Sequence, residues 1–120
     1  MERKFDLEDR QIDFAVSIIA LSNSISNTKA GNHLSGQLLR SGTSPVLNYG
    51  EAQSGESRRD FIHKIKIVLK ELRESRVAMK IIEKSQLHPD ANQVDTIIKE
   101  CNQLISIFVK SVETAEKNNK

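Results

Sequence analysis

Apolar residues recur with the period of an α-helix between positions 61 and 82, and this pattern restricts the fold more than any other feature. The repeat consists of Phe61, Ile65, Val68, Leu72, Met79 and Ile82. An interval of about 3.6 residues places all of them on one face of a single helix. Just before the repeat, Ser57 and Asp60 resemble a capping box with aspartate in place of glutamate. We therefore predict a helix over residues 57–84, which is about 42 Å long at about 1.5 Å per residue.

Three other segments carry similar patterns and signals for helix starts. Asp6 and Thr28 are suitable N-caps, and Pro89 suits the first turn of a helix. The predicted helices span residues 7–26, 29–53, 57–84 and 89–116. Because the joints between them are short, successive helices should be antiparallel neighbours. The predicted fold is all-α: an antiparallel up-down four-helix bundle that forms one domain over residues 1–120.

The second predicted helix contains an unusual run of small residues between positions 36 and 52. Glycine in a helix costs about 1 kcal/mol relative to alanine, and Gly36, Gly42 and Gly50 all fall here. Small residues offset this cost where another helix approaches closely. Pro45 lacks an amide donor and disfavours helical geometry in the residue before it. We predict a kink or a short break in the second helix near Pro45, without chain reversal.

Composition and the chain start bear on the compartment. A single cysteine, Cys101, excludes an internal disulfide and fits a reducing environment. The first residues are charged and no apolar signal core follows them, and no segment approaches the roughly 18 apolar residues that span a bilayer. These observations predict a cytoplasmic protein that does not associate with membranes. The net charge of +2 is too small to predict nucleic-acid binding by itself.

The sequence shows no arrangement typical of catalysis or of metal binding. His33, His63 and His88 lack metal-ligand spacing, and solvated or locally hydrogen-bonded histidines are expected. Cys101 falls in the apolar repeat of the fourth helix, which favours a buried and inert thiol over a nucleophile. The hydroxyls between positions 41 and 44 have no histidine–aspartate partners. We predict no enzyme activity, no metal and no cofactor.

Asn48 and Glu51 lie one helical turn apart and therefore on one face of the second helix. A carboxylate and an amide in this arrangement suit either of two roles. They can bind a ligand group, or they can bridge helices or adjacent subunits, because buried polar groups need partners. Since no third catalytic group accompanies them, a structural role in packing or assembly is the favoured interpretation.

Basic residues are concentrated in the third predicted helix. It contains nine basic and four acidic residues, so its net charge is +5. Five of the nine share the side opposite the apolar repeat. We call these five the basic ribbon: Arg59, Lys66, Lys70, Arg73 and Lys80. The ribbon is either a solvated face or, repeated around an oligomer, a surface that attracts phosphates. Because aromatic residues are scarce, such binding would depend on backbone charge and not on base identity.

A few apolar residues lie outside the predicted core faces. Ile67, Val77 and Ile81 fall off the core side of the third helix. The apolar stripe of the first helix is also wider than one partner helix needs, because Phe14, Ile18, Leu21 and Ile25 flank a repeat through Ile12, Ala15, Ile19 and Ser22. Clustered apolar surface of this kind indicates contacts between subunits. We therefore predict a homo-oligomer.

Several short motifs together resemble one known family. They are His33-Leu34, Gln37-Leu38-Leu39-Arg40-Ser41-Gly42-Thr43-Ser44, Asn48-Tyr49, Glu51-Ala52, Asp60-Phe61, Leu69-Lys70-Glu71-Leu72, Glu74-Ser75 and Leu87-His88-Pro89-Asp90. The family comprises small four-helix bundles encoded in intervening sequences of bacterial 23S ribosomal RNA genes. The resemblance covers nearly the whole chain. This sequence departs from the family pattern at Val77-Ala78, where an aromatic pair is common.

The resemblance implies a homopentameric ring. A relative, the accessory protein of diversity-generating retroelements, is a basic pentamer that binds nucleic acid and a reverse transcriptase. We therefore predict a non-enzymatic oligomeric bundle that binds RNA or DNA through the basic ribbon, with Arg40, Asn48 and Glu51 serving packing or assembly. The alternative is a protein–protein adaptor or a structural ring without nucleic-acid binding.

Overall fold

The computed structural model of the chain describes residues 6–118. Within this range the chain forms four α-helices: α1 (Leu7–Asn23), α2 (Lys29–Gln53), α3 (Arg58–Lys84) and α4 (Ala91–Lys117). The all-α class and the four helices are therefore confirmed. The two ends of the predicted domain, residues 1–5 and 119–120, lie outside the described residues.

Three of the four helices begin at the predicted caps. The side chains of Asp6, Thr28 and Ser57 each accept a hydrogen bond from the backbone amide three residues further along, at 3.0–3.1 Å. Each bond satisfies one of the amides that have no partner in the first turn of a helix. These local signals suffice because the cap and the amide that it binds are close in sequence.

Helix α1 ends at Asn23, three residues before the predicted end. The chain after this end takes part in a contact between the two loops at one end of the bundle. The backbone amide of Ser26 donates to the carbonyl of Leu87 at 2.8 Å, and the Ser26 hydroxyl donates to the same oxygen at 3.0 Å. These bonds hold the chain between α1 and α2 against the loop between α3 and α4.

Helix α4 begins at Ala91, two residues after the predicted start. Asp90 is its N-cap, since its carboxylate accepts hydrogen bonds from the amides of Asn92 and Gln93, both at 3.1 Å. Pro89 therefore precedes the cap and does not occupy the first turn. At this boundary the preference of aspartate for the N-cap decides where the helix begins, and not the preference of proline for the first helical position.

Helix α2 continues through Pro45 without interruption, so the short break that we allowed for is not present. Chain reversal is also absent from this part of the chain, as predicted. The kink itself stays a prediction. Pro45 is buried, and packing of its ring compensates in part for the amide that proline cannot donate.

The hydrophobic core is mostly aliphatic and is shared by all four helices. The apolar repeat of α4 predicts a buried face made of Val94, Ile98, Cys101, Ile105, Phe108 and Val112, and all six residues are buried. Phe108 of α4 is fully buried, and its ring meets Tyr49 of α2 edge to face with centroids 5.7 Å apart. Other fully buried side chains include Ile18, Leu21, Leu38, Ile65, Leu72, Met79, Ile82 and Leu104.

The predicted repeat on α1 was wrong in part. Phe14, Ile18 and Leu21 carry the core contacts, whereas Ile12 and Ile19 are 41% and 45% exposed. With more apolar residues than the core can take, the sequence alone could not decide which side of α1 faces inward. Part of the exposed apolar surface of the protein therefore lies on α1.

Each helix packs mainly against its neighbour in sequence. Helices α1 and α2, α2 and α3, and α3 and α4 form the extensive contacts, while α1 and α4 meet less closely. Between α2 and α3 the pairs Arg40–Glu71 and Glu51–Lys64 run in opposite chain order, as they do in antiparallel neighbours. The up-down course of the whole bundle stays a prediction.

Helix α2 contains four glycines, and Gly42 is the one that permits a close approach of α1. A Cβ atom built on Gly42 would lie 2.7 Å from Cγ2 and 2.8 Å from Cγ1 of Ile18 on α1. The same atom on Gly36 or Gly50 would meet nothing within 4 Å. Close packing therefore explains Gly42, while Gly36 and Gly50 lie beside open space.

Candidate functional site

All five side chains of the basic ribbon are exposed on α3, as the helical projection predicts. Lys66 reaches α4, where its Nζ lies 3.1 Å from Oε2 of Glu116. Within residues 6–118 the other four ribbon residues form no ion pair. The ribbon therefore keeps most of its positive charge available to an outside anion, and its role in binding stays a prediction.

Two acidic residues of α3 are held by Arg40 of α2. Arg40 Nη1 donates to Glu71 Oε1 at 2.9 Å, and Nη2 donates to a carboxylate oxygen of Glu74. The hydrogen bond to Glu71, followed by the attraction of both carboxylates, raises the pKa of Arg40. Because the Glu71 side chain is only 10% exposed, this pair compensates a charge that is nearly removed from water. The expected packing role of Arg40 is thus a link between α2 and α3.

A buried polar contact adjoins this link. The hydroxyls of Ser41 on α2 and Ser75 on α3 lie 2.9 Å apart, and Ser75 also lies 3.0 Å from the carbonyl oxygen of Glu71. Reasoning from sequence missed Ser75 and Glu71. The only available signal was the position of Ser41 on the buried face of α2, because the two partners are 34 residues apart.

Asn48 and Glu51 do not form a common site. Asn48 Nδ2 donates within α2 to the carbonyl and the hydroxyl of Ser44, at 3.0 and 2.9 Å. Glu51 instead accepts from Lys64 of α3 at 2.5 Å, and its side chain is 60% exposed. Replacing either residue therefore affects local or surface contacts, and a role in assembly stays a prediction for both.

An open groove of about 550 Å³ lies between α2 and α3. We call it the α2/α3 groove, and it is lined by Leu34, Lys66, Lys70, Arg73, Glu74, Val77, Ala78 and Ile81. Val77 and Ile81 are 54% and 44% exposed. The groove thus brings three ribbon cations beside two apolar residues that we predicted for subunit contacts. In the sequence, the ribbon and these apolar residues are predicted as two separate surfaces. In the structure, they line one groove.

The outward side of α1 has the opposite charge. Its apolar residues are Ile12, Val16 and Ile19, of which Val16 is 58% exposed. The exposed carboxylates of Glu8, Asp9 and Asp13 lie on the same helix, and none of the three forms an ion pair within the described chain. We call these six residues the α1 outer face.

The carboxylates at the start of α1 are crowded. A hydrogen bond between the side chains of Asp9 and Asp6, followed by repulsion from Asp6, Glu8 and Asp13, raises the pKa of Asp9. Like charges so close together favour the protonated form of one of them. A cation placed beside this group would therefore relieve repulsion.

The histidines do not assemble a site. His33 and His63 are exposed, while His88 is buried and its Nδ1 accepts a hydrogen bond from the amide of Asp90 at 3.0 Å. Residues 6–118 contain no group of three or more histidine, cysteine or acidic side chains placed to hold a metal ion. None of the four described helices is both long and apolar enough to cross a membrane.

Cys101 should be unreactive while the protein is folded. Burial raises the pKa of this thiol to about 12, and its Sγ lies 3.2 Å from the carbonyl oxygen of Leu72. The thiolate is the reactive form, so at pH 8 only about one molecule in 10⁴ carries it. We expect a thiol reagent to modify the native protein at least about 100-fold more slowly than the unfolded protein. Equal rates at pH 8 would contradict the buried thiol, and mass spectrometry gives both rates.

Comparison with solved structures identifies a similar fold. A crystal structure at 1.70 Å resolution of a protein of unknown function from the S23 ribosomal protein family of Bacteroides thetaiotaomicron matches with a TM-score of 0.82. The two chains are 29% identical, and the match covers 89% of this chain and 98% of that chain. Comparison with curated proteins gave no match. Residues 3–110 match the 23S rRNA-intervening sequence proteins, and the chain belongs to that family.

Proposed function

We propose that this chain is a non-enzymatic, self-assembling helical-bundle protein of the cytoplasm that binds RNA or DNA through the basic ribbon. The observation that carries the proposal is the set of exposed ribbon cations, four of which have no ion-pair partner within residues 6–118. A homopentamer is the assembly that the family resemblance implies. Symmetry would repeat the ribbon in each copy and convert a weak surface into a strong one.

The dimensions of the ribbon suit a polyanion. Arg59 and Lys80 lie 21 positions apart on one helix, which corresponds to about 31 Å at a rise of about 1.5 Å per residue. No aromatic residue belongs to the ribbon, so base stacking does not contribute. Binding should therefore depend on phosphates, be nearly independent of sequence and weaken with salt, by a log–log slope of roughly 0.7–0.9 for each contacted phosphate.

The second candidate is a protein–protein adaptor or a structural ring. The exposed aliphatic side chains of Val16, Val77 and Ile81 favour it, because contiguous apolar patches on a surface mark contacts with other proteins. This candidate predicts assembly without nucleic-acid binding that depends on the ribbon.

The two candidates are separated by a titration of labelled RNA and DNA at about 50 and 200 mM salt. The test variant carries Arg59→Glu and Lys80→Glu, which alters the ribbon and leaves the α2/α3 groove unchanged. We expect its affinity at low salt to fall by at least about tenfold, with a smaller salt slope, because phosphate contacts are lost.

The matched control carries Lys99→Glu and Lys110→Glu, two exposed lysines of α4. It changes the net charge of the chain by the same amount and should bind nearly as well as the original protein. If the original protein fails to bind at low salt, or if both variants lose affinity equally, the ribbon is a solvated face and the adaptor replaces our proposal.

A further inference from the structure

We infer that the α2/α3 groove receives the α1 outer face of a second copy of this chain. The inference rests on the self-assembly proposed above and names the two surfaces that make the contact. It is drawn from the chemistry of the two surfaces, from their order along the helices, and from the packing of residues 6–118, in which α1 does not contact α3.

The two surfaces have complementary chemistry. The groove combines the aliphatic side chains of Leu34, Val77 and Ile81 with the cations of Lys70 and Arg73. The α1 outer face combines its three exposed aliphatic residues with three carboxylates. Contact between them removes apolar surface from water and places opposite charges together, and charge complementarity excludes incorrect partners.

The order of these groups along the two helices also agrees. On α3 the groove cations precede Val77 and Ile81, and on α1 Glu8 and Asp9 precede the three apolar residues, while Asp13 follows Ile12. Eleven positions separate Lys70 from Ile81, and eleven separate Glu8 from Ile19. Both intervals correspond to about 16 Å at a rise of about 1.5 Å per residue. When α1 lies parallel to α3 in the groove, acid therefore meets cation at one end and aliphatic meets aliphatic at the other.

Within residues 6–118 a single molecule does not make this contact. Helix α1 packs on α2 and α4, and within residues 6–118 it does not pack against α3. Its core face, through Phe14, Ile18 and Leu21, is occupied by that packing. The α1 outer face and the α2/α3 groove are consequently both available to another copy.

This contact joins two different surfaces, so it is head to tail. Every copy that docks its α1 still offers an empty groove, and association continues until the rotation closes a ring. The ribbon is then divided by function. Lys70 and Arg73 serve assembly, while Arg59 and Lys80, which do not line the groove, remain available to phosphates.

Reversal of charge tests the contact. One variant carries Glu8→Lys and Asp9→Lys, and a second carries Lys70→Glu and Arg73→Glu. In each, like charges meet in the groove, so light scattering should give the mass of a single chain where the original protein gives an oligomer. A variant carrying all four changes restores opposite charges and should recover the oligomer mass. The control that carries Lys99→Glu and Lys110→Glu should keep the oligomer mass of the original protein.

Several results would overturn the inference. It is wrong if the two double variants keep the oligomer mass, or if the fourfold variant does not recover it. A two-fold contact between α1 helices predicts no such recovery, because the fourfold variant keeps like charges on both α1 helices. A monomeric original protein removes assembly altogether. Since no nucleic acid is present, failure here is distinct from failure of the RNA and DNA titration.

Circular dichroism shows whether the charge variants fold. If they misfold, a second pair of variants tests the same contact. Val16→Asp on α1 and Val77→Asp in the groove change residues that are more than half exposed, so the fold should tolerate both. Each should raise the dissociation constant of the assembly by at least about tenfold, because a carboxylate replaces an apolar contact. Unchanged dissociation constants for both folded variants would also overturn the inference.

Discussion

Replacing Gly42 with valine is expected to lower the free energy of unfolding by about 1–3 kcal/mol or more, because the added atoms overpack the core. A Cβ atom at this position would already lie within 2.7–3.1 Å of three side-chain atoms of Ile18. Ile18 is fully buried, and its branched side chain has little rotamer freedom. Helices α1 and α2 must therefore separate to admit the substitution. Urea denaturation at one fixed protein concentration measures the change.

Gly36→Ala and Gly50→Ala provide the matched controls within α2. A Cβ atom at either position meets nothing within 4 Å, so each change should raise stability by about 0.5–1 kcal/mol through helix propensity. If Gly42→Val proved as stable as the original protein, close packing of α1 on α2 at this point would be wrong.

Replacing Phe108 with alanine should lower the free energy of unfolding by about 3–5 kcal/mol, since the change removes a large buried ring and leaves a cavity. Phe108 is fully buried and contacts the ring of Tyr49 edge to face. That contact adds about 0.5–1.5 kcal/mol beyond the burial of area. Urea denaturation again measures the loss, with a fixed protein concentration because assembly contributes to stability.

Phe61→Ala is the comparison for Phe108→Ala, because Phe61 is only partly buried at the margin of the core. Its loss should be clearly smaller, which separates the effect of burial from the effect of removing an aromatic ring. Equal losses at the two positions would show that the ring of Phe108 is not the more important core contact.

The sequence predicts those parts of the fold that depend on local signals. The caps at Asp6, Thr28 and Ser57 bind amides only three residues away, and the apolar repeat of α4 faces the core along its length. By contrast, the loop after α1 is held by a hydrogen bond from Ser26 to the carbonyl of Leu87, which is 61 residues away. No local pattern contains that information.

The candidate surfaces also differ in whether a local pattern predicts them or they depend on contacts between helices. Exposure of the ribbon follows from its position opposite the apolar repeat of α3, so it is predictable from one helix. The groove is not, because it exists only when Leu34 of α2 lies beside Val77 and Ile81 of α3. The outward side of α1 was also unpredictable, since the sequence offers more apolar residues than one core can bury.

Packing of each helix on its neighbour in sequence has a consequence for folding kinetics. The extensive contacts join α1 to α2, α2 to α3 and α3 to α4, and the meeting of α1 with α4 is the weakest. Most native contacts therefore join helices that are adjacent in sequence, and helical bundles rich in such contacts fold in microseconds to milliseconds. The segment from α2 to α4 can form first, with α1 docking last on α2. Amide hydrogen exchange in α1 should accordingly be faster than in α3, because the helix with less extensive packing opens more often.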